Sequence, residues 1–206
     1  MAEPATPQPV PPTDAGDAEA QDRRNAAAWA ARRAQVLAPF IAPGGVGAEI
    51  GVFKGAFARA ILDTLAPQKL YLIDPWYLQG LVWRWASGNP SVIDALCGIL
   101  HDLQTELASG KAVLWIENDL TALAKLPDGH LDWAYLDTTH QYQQTTQELK
   151  LLRTKVKPGG ILAGDDWQAD PAHRDHGVFQ AVQEFVAREP CELVHVQLRQ
   201  WVVRLA

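Results

Sequence analysis

The feature that most constrains the fold of this chain is a repeated one: a short apolar run that reaches an acid, then a helical stretch. Val46 to Gly51 carries Glu49, and Lys69 to Asp74 ends on Asp74. Ala112 to Glu117 leads into Asn118-Asp119, Leu131 to Asp137 ends on Asp137, and Ile161 to Asp165 continues into Asp166. Runs such as Tyr71-Leu72-Ile73 and Ile161-Leu162-Ala163 are apolar throughout, as strands are when both sheet faces are covered. Helical stretches separate them at Ala56 to Leu65, Ser91 to Ala108, Gln141 to Val156 (closed by Pro158-Gly159-Gly160) and Val178 to Arg188. Such alternation predicts a parallel sheet with right-handed crossovers. Two final strands, Glu192 to Val196 and Gln200 to Leu205, read as an antiparallel pair. The expected fold class is therefore α/β: a Rossmann-like, doubly wound, mostly parallel seven-stranded sheet.

Ligands of such sheets sit outside the carboxyl ends of the strands, near the switch in strand order. The acids are delivered to that edge. Residues 1–20, rich in Pro, Ala, Asp and Thr, hold little that can form a core and read as a disordered tail before a single domain at 21–206. A helix from about Asp22 to Ala38 follows, with Trp29, Ala30, Arg33, Val36 and Leu37 on its rough apolar stripe. The formal net charge of −6 argues against nucleic acid and anionic membrane as partners. No apolar run reaches the ~18 residues of a membrane helix. Cys97 and Cys191 have no metal-site or disulfide-framework spacing, and suit buried thiols in a reducing cytoplasm.

The first strand runs into Glu49-Ile50-Gly51-Val52-Phe53-Lys54-Gly55. Its glycines allow a tight turn and a close approach to a ligand. The dinucleotide pattern Gly-x-Gly-x-x-Gly is replaced by Glu-x-Gly-x-x-x-Gly, and an acid suits a cationic ligand better than a diphosphate. Asp74 lies 23 residues after Gly51, a distance at which an acid can accept hydrogen bonds from ribose hydroxyls.

Together the segments GAEIGVFKGAFA, LYLIDPW, LDWAYLDTTHQY and VKPGGILAGDDW resemble the class I S-adenosylmethionine-dependent methyltransferases. The likeness is closest to small bacterial members of the methyltransferase-24 type, extends to the catechol O-methyltransferase group, and covers about residues 45–190. It implies that Glu49, Gly51 and Gly55 surround the methionine part of the cofactor and that Phe53 also contributes to cofactor binding. It places Asp74 on the ribose, and Asn118, Asp119 and Leu120 beside the adenine. Asp137 would border the same ligand.

At the other end of the edge, Asp137, Asp165 and Asp166 should lie close together, and carboxylates so placed need a proton or a cation. The catechol-type resemblance implies Mg²⁺ or another divalent ion there, on Asp137, Asp165 and Asp166. The alternative is that these acids bind the cofactor amine and cap helices. By position, His140 matches that group's catalytic lysine. An ordinary histidine pKa of about 6.5 would make it a general base near neutral pH.

Pro75 to Trp85 holds three of the eight tryptophans. Residues 75–90 read equally as an aromatic lid over the acceptor, a satellite core or a homodimer contact. The function implied is methyl transfer to a small-molecule acceptor, most readily at oxygen. An NAD-dependent oxidoreductase and a non-catalytic cofactor-binding module are the alternatives.

Overall fold

A computed structural model describes residues 15–77 and 91–206. The described elements run α1 (Ala15–Leu37), β1 (Val46–Ile50), α2 (Ala56–Thr64), β2 (Lys69–Ile73), α3 (Ser91–Asp102) and α4 (Gln104–Ala108). They continue with β3 (Ala112–Trp115), α5 (Asp119–Lys125), β4 (Leu131–Leu136), α6 (Tyr142–Lys155), β5 (Val156–Gly164), α7 (His176–Arg188), β6 (Cys191–Gln197) and β7 (Gln200–Leu205). The seven strands form one sheet in the order β3-β2-β1-β4-β5-β7-β6. The first five are mutually parallel, and β7 runs antiparallel to both β5 and β6. This is the expected Rossmann-like architecture. Strand order reverses between β1 and β4, so the ligand crevice of the fold lies where Ile50 pairs with Leu136.

Several elements differ from their expected extents. α1 begins at Ala15, because Ala, Glu, Gln and Arg favour helix through a segment read as tail. The rest of that tail, residues 1–14, lies outside the described residues. The helix expected from Ser91 to Ala108 breaks at Leu103. β5 begins at Val156 and runs through Pro158-Gly159-Gly160, with a register shift that absorbs the turn residues. The short helix α5 was not anticipated, although Asn118 is its N-cap and accepts from the Thr121 amide at 3.4 Å.

Apolar side chains cover both faces of the sheet. One layer holds Leu37, Phe57, Ile61, Leu72 and Trp76; the other holds Ile50, Leu123, Leu149, Val182 and Trp201. Trp76, the first aromatic of the expected lid, is 1% exposed and belongs to the core. Tyr77 is exposed; residues 78–90, with Trp83 and Trp85, lie outside the described residues. No helix among the described residues is long and apolar enough to cross a membrane.

Candidate active site

The β1 turn is shaped by close backbone approach. Gly51 has φ 86°, and a Cβ there would collide with the Asp137 carbonyl across the strand switch. Gly55 (φ 77°) precedes α2 as an uncapped N-cap. Phe53 between them is also left-handed, at φ 50°. Asp74 holds this loop in place: its Oδ2 accepts from the Val52 amide at 2.8 Å and the Phe53 amide at 2.9 Å. Burial nonetheless pushes the Asp74 carboxyl up. The indole of Trp76 donates to the Phe53 carbonyl at 2.9 Å.

Glu49 is 1% exposed, and its Oε2 finds no hydrogen-bond partner among the described residues. Burial drives its carboxyl well above the ordinary value, while Arg33 pulls the other way. An unpartnered buried carboxyl oxygen at the end of β1 suits a cationic ligand such as an ammonium, so the residues present fit the amino-acid end of S-adenosylmethionine. At the β3 end, Asp119 Oδ1 accepts from the Leu120 amide and Asn118 caps α5. Those residues follow the carboxyl end of β3, the strand next to β2.

The acids at the ends of β4 and β5 are arranged by cations. Arg33 from α1 donates to Asp137 Oδ2 at 2.6 Å and to the Tyr135 hydroxyl at 2.7 Å, and pairs with Asp165 Oδ2 at 3.1 Å. Its guanidinium lies 4.3 Å from the centre of the Phe57 ring. His140 Nε2 is 2.7 Å from Asp166 Oδ2 and 3.5 Å from Asp137 Oδ1; its Nδ1 is 3.0 Å from Asp175 Oδ1. Arg199 pairs with Asp166 and, at 3.1 Å, with Asp175 Oδ2. It sits in the β6–β7 hairpin, where Leu198 (φ 52°) and Arg199 (φ 65°) form a two-residue left-handed turn. His140 (φ 59°) and Asp166 (φ 62°) are left-handed as well. Strained non-glycine residues collect at functional sites because the surroundings over-determine them.

These contacts change the protonation expected of the site. Burial alone would lower the His140 pKa, but Asp137, Asp166 and Asp175 outweigh it and raise it to about 10. His140 is therefore an imidazolium at neutral pH, not the neutral base expected from an ordinary value. Asp165 is raised to about 6, chiefly by burial, with Arg33 opposing and Asp137 adding to the rise.

The expected metal set is also rearranged. Asp137, His140 and Asp166 each offer one atom within 4.8 Å of the others. Asp165 instead faces Arg33 and accepts from the Asp166 amide at 2.8 Å. Arg33 and Arg199 already pair with these acids, Arg33 with Asp137 and Asp165 and Arg199 with Asp166, and would compete with a divalent ion for the same oxygens.

The carboxylates and His140 line one narrow cleft with Thr138, Thr145 and Val178. A wider cavity of about 470 Å³ opens at the opposite edge, among Phe40, Gly44, Trp133 and Lys157. It is lined from the starts of β1, β4 and β5, the edge opposite the strand ends that carry the acids, so the narrower cleft is the candidate chemical site.

Arg33, Asp175 and Arg199 were missed as site residues. Arg33 left one signal, since an arginine on the apolar stripe of a helix needs buried acids as partners. Arg174, in the loop after β5, is mostly exposed and pairs with Asp175 at 3.3 Å.

The sequence profile of the family described as a methyltransferase domain matches residues 48–167, more than half of the chain. The protein belongs to this family. It is a methyltransferase, and the oxidoreductase alternative falls away. No curated protein matches the sequence. Among solved structures, a Corynebacterium glutamicum protein is 16% identical, with 96% of this chain and 92% of that chain covered and a TM-score of 0.65. A SAM-dependent methyltransferase from Aquifex aeolicus is 15% identical, with 82% and 86% covered and a TM-score of 0.55. A Streptococcus mutans protein solved in complex with SAH is 13% identical, with 84% and 93% covered and a TM-score of 0.55. At these identities the methyltransferase shares a fold with each of them.

Proposed function

We propose that this methyltransferase takes its methyl group from S-adenosylmethionine and transfers it to the oxygen of a small-molecule acceptor. The observation that carries the reading is the meeting of Asp137, His140, Asp165 and Asp166 at the ends of β4 and β5, across the strand switch from Glu49 and Gly51. Donor and acceptor would then occupy neighbouring stretches of one edge.

On the donor side, Glu49 faces the ammonium and the Gly51–Gly55 turn, Phe53 included, lies along the methionine chain. Asp74 takes the ribose hydroxyls on the carboxylate that already braces that turn, and Asn118, Asp119 and Leu120 border the adenine. When bound, S-adenosylmethionine supplies a methyl group on a positively charged sulfur. On the acceptor side, His140 acts as a fixed imidazolium that orients the acceptor and Asp166. Asp165, near pKa 6, is mostly ionised at neutral pH yet basic enough to accept the hydroxyl proton. Arg33 steadies Asp137 and Asp165 throughout. Holding two reactants in register is itself worth on the order of 7–11 kcal/mol.

The same cations already offset the charge of these acids, so on this reading the transfer needs no divalent ion. The test is calorimetry with S-adenosylhomocysteine and NADH side by side, followed by methyl transfer to phenolic and sugar hydroxyls with and without EDTA. Tight binding of S-adenosylhomocysteine alone and EDTA-insensitive transfer are expected. Affinity without transfer to any acceptor would favour a non-catalytic module. Loss in EDTA with recovery in Mg²⁺ would return an ion to Asp137, His140 and Asp166.

A further inference from the structure

We propose that Glu148, in the middle of α6, is a positioning residue that joins the two halves of the site by holding Asp119 and Thr138 through one buried hydrogen-bonded bridge. The inference rests on the S-adenosylmethionine reading above.

Glu148 is fully buried, with 0% exposure. The Thr138 hydroxyl donates to both of its oxygens, at 2.9 and 3.0 Å. The Gln144 side-chain amide donates to Glu148 Oε1 at 3.2 Å and to Asp119 Oδ2 at 2.9 Å, and so bridges the two carboxyls. Its partners are thus a hydroxyl, an amide and a second carboxyl. A buried carboxyl with such neighbours is held neutral, because no cation among the described residues pairs with it to offset its lost hydration. Burial and the Asp119 charge both push it well above the ordinary value. It accepts from Thr138 directly and is tied to Asp119 through the shared Gln144 amide.

The consequence is geometric. Asp119 opens α5 on the cofactor edge, where its other oxygen takes the Leu120 amide. Thr138 follows Asp137, whose carbonyl packs against Gly51. One side chain therefore sets the aim of the acid beside the adenine and the path of the chain leaving β4. Simple packing would be met by a leucine of similar size, without the cost of burying a carboxyl.

The variants are Glu148→Gln, Glu148→Leu and Thr138→Val, compared with wild type by calorimetry with S-adenosylhomocysteine and by thermal unfolding. A glutamine keeps a side-chain oxygen that can accept from Thr138 and Gln144, so E148Q should bind within about twofold of wild type. E148L should lose about tenfold in affinity while remaining folded at the assay temperature, since Thr138 and Gln144 lose their shared acceptor and Gln144 no longer holds Asp119 in place. T138V, which cuts one link only, should fall between them. E148L bound as tightly as wild type, or E148Q impaired as much as E148L, would overturn the bridge. Should E148L not fold, E148Q and T138V decide alone: T138V at wild-type affinity would overturn it. Wild-type protein that fails to bind S-adenosylhomocysteine would instead remove the donor reading, and this inference with it.

Discussion

The two halves of the strand edge are built differently. The cofactor half, at the ends of β1 and β2, is made mainly of backbone: glycines at positive φ, and amides of Val52 and Phe53 gathered on Asp74. The acceptor half, at the ends of β4 and β5, is made of charged side chains. Its acids come from the strand ends and the nearby loop, but its arginines arrive from α1 and from the β6–β7 hairpin. The first half depends on a short stretch of chain. The second exists only when the first helix and the last hairpin have both docked. Apart from its link to α6 through Glu148, a cofactor edge of this kind should tolerate change elsewhere, whereas the acceptor edge should fail when a distant element is altered.

The largest expected effect comes from Arg33→Met, which keeps the stem but leaves Asp137 and Asp165 buried without their shared cation. Removing one partner of a buried ion pair typically costs about 3–5 kcal/mol. Chemical denaturation should show a loss of that order, and the Asp74→Ala protein, altered in the other half, should lose affinity for S-adenosylhomocysteine with a smaller loss of stability. Equal stability of R33M and wild type would break the contrast between the halves.

A second effect concerns rate. With Asp165 raised to about 6, kcat/KM should climb as pH rises through that value, because the base works only when ionised. Asp165→Asn should flatten this limb and lower turnover by roughly 10²-fold or more. A limb that persists in D165N assigns the base elsewhere.

The smallest effect is on stability against pH. The folded pKa of His140 lies near 10, above the unfolded value of about 6.5. Its stabilising contribution is therefore fully present below about pH 6.5 and is lost as pH rises toward 10. His140→Gln should be less stable than wild type near pH 6, and the difference should shrink by pH 10. A gap that is constant over this range would deny the imidazolium its role.

Much of the fold was legible because it rests on local periodicity. Tyr71-Leu72-Ile73 and Ile161-Leu162-Ala163 announce buried strands, and Gly51 and Gly55 mark a turn no other residue makes easily. The positions of Glu49, Asp74, Asp137, Asp165 and Asp166 at one edge follow from strand direction alone. α5 was missed for a simple reason: seven residues are too few to carry a clear helical period, although Asn118 was available as its cap.

By itself, then, the sequence determined which strands form, that the first five run parallel and the last two pair antiparallel, and which acids end the parallel ones, since a strand's direction fixes where its last residue lies. Only the tertiary structure decided the charge state of those acids. Arg33 lies 104 residues from Asp137, and Arg199 lies 33 from Asp166. A histidine's pKa depends on what surrounds it within a few ångströms, and here those neighbours are brought together by packing across the sheet.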